Sequence, residues 1–139
     1  MMALKFIQQD ATTLREAYEE RKAEYDLLRA GGRRSGAILY AGTLLELALK
    51  LVICKLLGVS NLPTIFQVHD LDLLLYCSGR FSDFTVGSIL HRNFAIIQHR
   101  WSMALRYEGA IQTQQGSDDF DRALFDPSQG VITFLSKYF

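Results

Sequence analysis

The chain has 139 residues and a mass of 15.8 kDa, 49% of them hydrophobic, with 15 Lys and Arg balanced by 15 Asp and Glu. That length fits one domain, residues 1–139, with a core that needs no disulfide or metal staple. The cancelled charge excludes a global field steering the chain toward nucleic acid or an acidic surface, and leaves room only for a local basic patch.

The N-terminus, MMALKFIQQDATTLREAY, turns polar after seven residues and lacks a signal-peptide apolar region. Cys54 and Cys77 show neither metal nor redox spacing and read as reduced core thiols. Both features predict a cytoplasmic protein.

From about Asp10 to Ala30 the chain is charged and amphipathic, with Leu14, Tyr18, Tyr25 and Leu28 at helical spacing. Asp10 or Thr12 can cap this helix and Gly31-Gly32 stops it. Its other face, Arg15, Glu16, Glu19, Glu20, Arg21, Lys22 and Glu24, mixes both signs and reads as solvated.

Arg33 to Leu57, RRSGAILYAGTLLELALKLVICKLL, is apolar on nearly every side of a helical wheel, which makes it the central element of a bundle. Its rod of roughly 37 Å is long enough to span a bilayer. Glu46, Lys50 and Lys55 would be expensive in lipid, so a core helix and no membrane partner are expected. Glu46 and Lys50 stand four apart in the order that favours an ion pair. That pair is either exposed, worth about 0.3 to 0.5 kcal/mol, or partly buried against a polar group on another helix.

VSNLPTIFQV then reads as a loop, and His69-Asp70-Leu71 opens LDLLLYCSG, a helix of about ten residues ended by Gly79. Ser82 or Asp83 can cap a further helix, from about Phe84 to Gln98 or beyond, with Val86, Ile89, Leu90, Phe94 and Ile97 on one face. Gly109 to Asp119 reads as a polar, mobile loop. The C-terminal part reads as one helix broken or restarted at Asp126-Pro127, a good helix start. Periodicity alone thus predicts an all-α bundle.

The order of these features, LLELALKLVICKLL, then His69-Asp70-Leu71 opening a short helix, then Trp101-Ser102 leading to Arg106-Tyr107 and a last helix, resembles the HEPN family (higher eukaryotes and prokaryotes nucleotide-binding domain) over about residues 35–138. The resemblance implies an antiparallel up-and-down bundle of four main helices plus a short one, paired as a homodimer. It also implies work on RNA or a nucleotide in a toxin-antitoxin or defence system, with an antitoxin or a minimal nucleotidyltransferase as partner.

Catalytic HEPN proteins carry an arginine, usually a polar residue after it, and a histidine after four to six intervening residues. Arg92, Asn93 and His99 match the outer limit of that pattern. On a continuous helix a separation of seven returns to the same face, about 10.5 Å further along the axis. Such a pair suits metal-independent RNA cleavage. A neutral histidine moves the proton of a ribose 2′-hydroxyl or of the leaving oxygen. The arginine stabilises the phosphate's developing charge. One such histidine per chain is half of an acid/base pair, which a two-fold dimer would complete.

Whether the chain is an enzyme stays open, because Arg, Asn and His are ordinary on a wet helix face and Trp101 stands where the family usually has a tyrosine. Trp101 then reads as a core anchor, and the alternatives are a non-catalytic binding module or a plain dimerisation module. His69 can cap its helix or pair with Glu46; the resemblance favours a structural role. Arg106 and Tyr107 can contact a phosphate or base, or close the bundle on Glu46; Arg33-Arg34 can touch a phosphate backbone. No phosphate loop, nucleophile elbow or dinucleotide fingerprint is present, and no cysteine or carboxylate pair completes a zinc site around His91 and His99. No cofactor or metal is expected.

Overall fold

Asp10 starts the fold. In the computed structural model, which describes residues 9–102, 105, 107 and 113–139, its carboxylate accepts from the Thr13 backbone N–H at 2.8 Å and from the Thr13 hydroxyl at 3.0 Å. These bonds hold its carboxyl below the usual carboxylate range and cap helix α1, Ala11–Ala30. The chain turns at Gly31-Gly32, where Gly32 takes a φ of +71° that suits glycine, and enters α2, Arg34–Leu57. Gly58, left-handed at φ +64°, ends α2 with its N–H on the Lys55 carbonyl.

The remaining helices are short or medium in length: α3, Leu71–Cys77; α4, Ile89–Arg100; α5, Gln114–Phe125; α6, Val131–Leu135, followed by a 3-10 turn to Tyr138. No strand forms among the described residues; a single bridge joins Asp10 to Asn61.

The rod expected at the centre is there. In α2 every residue from Leu44 to Cys54 is buried, and α1, α3, α5 and α6 all pack on it. Among the described residues α2 is the one helix long and apolar enough to cross a membrane, with mean hydropathy 1.9, yet 83% of that window lies inside the bundle.

Side-chain pairs give the direction of each helix. Arg34 at the start of α2 donates to Gln114 at the start of α5 (3.2 Å), and Arg29 at the end of α1 meets Ser117 and Asp118. Further along α5, Phe125 reaches Tyr25 and Lys22. Across from it Arg100 faces Asp119 (3.9 Å) at one end of α4, and Asn93 bonds the Gln129 carbonyl at the other. Thus α1, α2, α4 and α5 alternate in direction, an antiparallel up-and-down bundle of four main helices with α3 and α6 as short additions.

Four expected boundaries are corrected. The helix assigned to Phe84 onward begins at Ile89, because Gly87 turns the chain at φ +92° and the Ser88 hydroxyl, not Ser82 or Asp83, accepts from the His91 N–H at 3.1 Å. Val86 is therefore 84% exposed, and Phe94 and Ile97 carry the buried face. Of the stretch Gly109 to Asp119, residues 109–112 lie outside the described residues, but Gln114 onward is helix, capped by the Thr113 hydroxyl on the Gly116 N–H (3.0 Å). Asp126-Pro127 starts no helix. The Asp126 carboxylate accepts instead from Ser128 and Gln129 in a tight turn, and α6 starts only after Gly130. The short helix α3 runs seven residues where about ten were expected.

One half-buried phenol and one buried one set an alkaline limit. Burial pushes the Tyr18 hydroxyl up to about 12. Burial, then the bond donated to Asp121 Oδ1 at 2.7 Å, pushes Tyr25 up as well. Both folded values lie above the unfolded value of 10.0. The stability they contribute is therefore complete below about pH 10 and is lost as pH rises through the folded values. Absorbance at phenolate wavelengths is expected to show Tyr18 and Tyr25 ionising late, together with loss of helix; ionisation of all tyrosines near 10 before any loss of helix would contradict it.

Candidate functional site

Helix α4 presents the candidate site. Ser88 caps its start, and Phe94 and Ile97 press its inner face into the core, with Phe94 edge-on to Phe84 at 5.8 Å. That orientation leaves Arg92 and His99 outward, both exposed, on one stripe of one unbroken helix. Neither side chain is engaged by another described residue. Neither lines the nearby groove of about 380 Å³ between α4 and α5, whose walls include Ile89, Asn93, Ile96 and Arg122. In one copy of the chain the pair lies on open surface.

Asn93, between them in the motif, donates its amide to the Gln129 carbonyl at 2.8 Å and so ties α4 to the turn before α6. Just past the pair, α4 ends at Trp101, whose backbone is extended at φ −98°, ψ 135°. Its indole is 7% exposed, donates from Nε1 to the Leu39 carbonyl at 3.0 Å, and lies on Gly42 of α2. A Cβ at Gly42 would come within 2.0 Å of the ring. Trp101 thus anchors the C-terminal end of α4 to the start of α2, and only glycine at 42 leaves room for it.

The Glu46 and Lys50 pair takes the buried form. Lys50 Nζ donates to Glu46 Oε2 at 3.1 Å, and the side chains are 3% and 10% exposed respectively. Lys50 also reaches Gln9 Oε1 at 3.3 Å. The polar group it meets is His69, with Nδ1 2.7 Å from Glu46 Oε1, and it comes from the loop just before α3, not from another helix. His69 pairs and does not cap; Asp70 caps α3, accepting from the Leu73 N–H at 3.2 Å.

Arg106 lies outside the described residues, and Tyr107 is 85% exposed. Arg33 and Arg34 are both exposed at the start of α2, Arg34 bonded to Gln114. Among the described residues no group of three or more His, Cys, Asp or Glu side chains could hold a metal ion. Cys54 is buried, which pushes its thiol up and keeps it unreactive.

Sequence reading did not foresee the slot at Gly42, the Asn93 tie, or the link between α3 and α4 in which the Gln98 amide donates to Asp72. A glycine in a helix otherwise buried in large apolar residues was the one available signal for the slot. Comparison of the chain with protein-family models, with curated proteins and with solved structures finds no match.

Proposed function

We propose that the chain is a HEPN-type domain acting on RNA, and that it cleaves RNA without a metal through Arg92 and His99. One observation supports the reading above all: two side chains suited to phosphodiester cleavage share an exposed stripe of a single helix and are engaged by nothing else described. His99 takes the proton from the 2′-hydroxyl, the 2′-oxygen attacks the adjacent phosphorus, and the 5′-oxygen leaves with a proton from a second His99 across a two-fold axis. Arg92 neutralises the charge that builds on the phosphate oxygens.

With single-stranded RNA and excess chelator, His99→Ala is expected to slow cutting by roughly a hundredfold to ten-thousandfold. Arg92→Ala is expected to slow it by about a hundredfold or more. Both sites are exposed, so helix content should be unchanged. Variants that cut as fast as the parent would overturn the assignment.

A second reading has its own support. Asn93 commits its amide to the Gln129 carbonyl, and Trp101 is buried where the family usually has a tyrosine. These suit a non-catalytic module that binds a nucleotide or a partner such as an antitoxin or a minimal nucleotidyltransferase. Such a module should leave its native cell with that partner or ligand attached; recovery of a solitary, empty protein counts against it.

A further inference from the structure

Among the described residues the imidazole of His69 is held from one side only. Its Nδ1 meets Glu46 Oε1 at 2.7 Å, while its own side chain is 62% exposed. The buried charge of Glu46 is already balanced by Lys50, so the pair does not need the imidazole for neutrality. A carboxylate that accepts from an ammonium is an acceptor toward the ring as well. The proton of the neutral ring therefore sits on Nδ1, and Nε2 carries the lone pair. A buried carboxylate that fixes tautomer and ring orientation in this way is how proteins aim the outer nitrogen of a histidine at a ligand.

His69 lines a cleft of about 270 Å³ together with Asp70, Asp72, Gln98, Trp101 and Ser102. Asp70 uses one oxygen on the Leu73 N–H, and Asp72 uses one on the Gln98 amide, so each has a second oxygen that these bonds leave uncommitted. Two carboxylates repel phosphate. The Ser102 hydroxyl and the Gln98 amide both donate and accept, which matches a ligand whose own groups do both. An ammonium only donates; a hydroxyl does both.

We propose that this cleft binds a neutral, polyhydroxylated ligand of sugar type, with His69 Nε2 accepting from one of its hydroxyls. The site is separate from the Arg92 and His99 stripe and does not rest on it.

Nitrogen NMR of the labelled protein, at a pH where the ring is neutral, is expected to find His69 protonated at Nδ1 and bare at Nε2. Methyl β-D-ribofuranoside should then give saturable shifts at His69 and Gln98, and inorganic phosphate should bind more weakly. His69→Phe and Ser102→Ala should each weaken the riboside by about tenfold. Ser102→Ala alters only an exposed wall and keeps the test intact if His69→Phe fails to fold. A ring protonated at Nε2, the lack of any saturable shift, or tighter binding of phosphate would each overturn the proposal.

Discussion

Replacing Glu46 by alanine is expected to destabilise the fold by about 3 to 5 kcal/mol. Lys50 is 2% exposed, deep in α2, and among the described residues its ammonium has two partners, Glu46 and Gln9. Removing the carboxylate leaves a buried cation with only an amide oxygen beside it. The loss should appear as a fall in Tm of roughly 10 °C or more. The pair itself need not stabilise the fold, since taking two charges out of water offsets much of their attraction. Replacing both, as Glu46→Leu with Lys50→Met, should therefore recover most of what Glu46→Ala loses. A cost of under about 1 kcal/mol for Glu46→Ala would mean the pair behaves as an exposed one, contrary to its burial.

Gly42→Ala is expected to cost about 3 kcal/mol or more, close to the roughly 3 to 5 kcal/mol of Trp101→Ala. The added methyl would sit 2.0 Å from the indole, so the ring must leave and give up its bond to the Leu39 carbonyl. Since both changes remove the same contact, the double variant should cost no more than Trp101→Ala alone. Trp101 is the single tryptophan of the chain, so its fluorescence should shift to the red in Gly42→Ala. Unchanged emission together with additive losses would contradict the slot. Because α4 ends at Trp101, this slot also sets where His99 stands.

How far these features could be read from the sequence varied with the physics behind them. The rod at α2 was legible because a helix apolar on all sides has no other place to go. Its ion pair was legible as a spacing, but its burial was not: that depends on His69 and Gln9 arriving from elsewhere. The start of α4 was misread because Val86 and Ile89 fit the helical period, while the left-handed turn at Gly87 and the cap at Ser88 overrode it. The polar run at Gln114 looked like loop, yet a Thr113 cap and the bonds from Gln114 to Asp118 and Gln115 to Asp119 make it helix. Arg92 and His99 could be paired by their spacing on a helix. Their freedom from other contacts follows only from which face of α4 the core takes.

The most direct test of the proposed chemistry is the fate of a labelled RNA in excess chelator. A protein that uses the 2′-hydroxyl as nucleophile should leave 2′,3′-cyclic phosphate and 5′-hydroxyl ends and should spare the same RNA methylated at its 2′-oxygens. RNA that stays intact, or methylated RNA cut as readily as the plain strand, would contradict it.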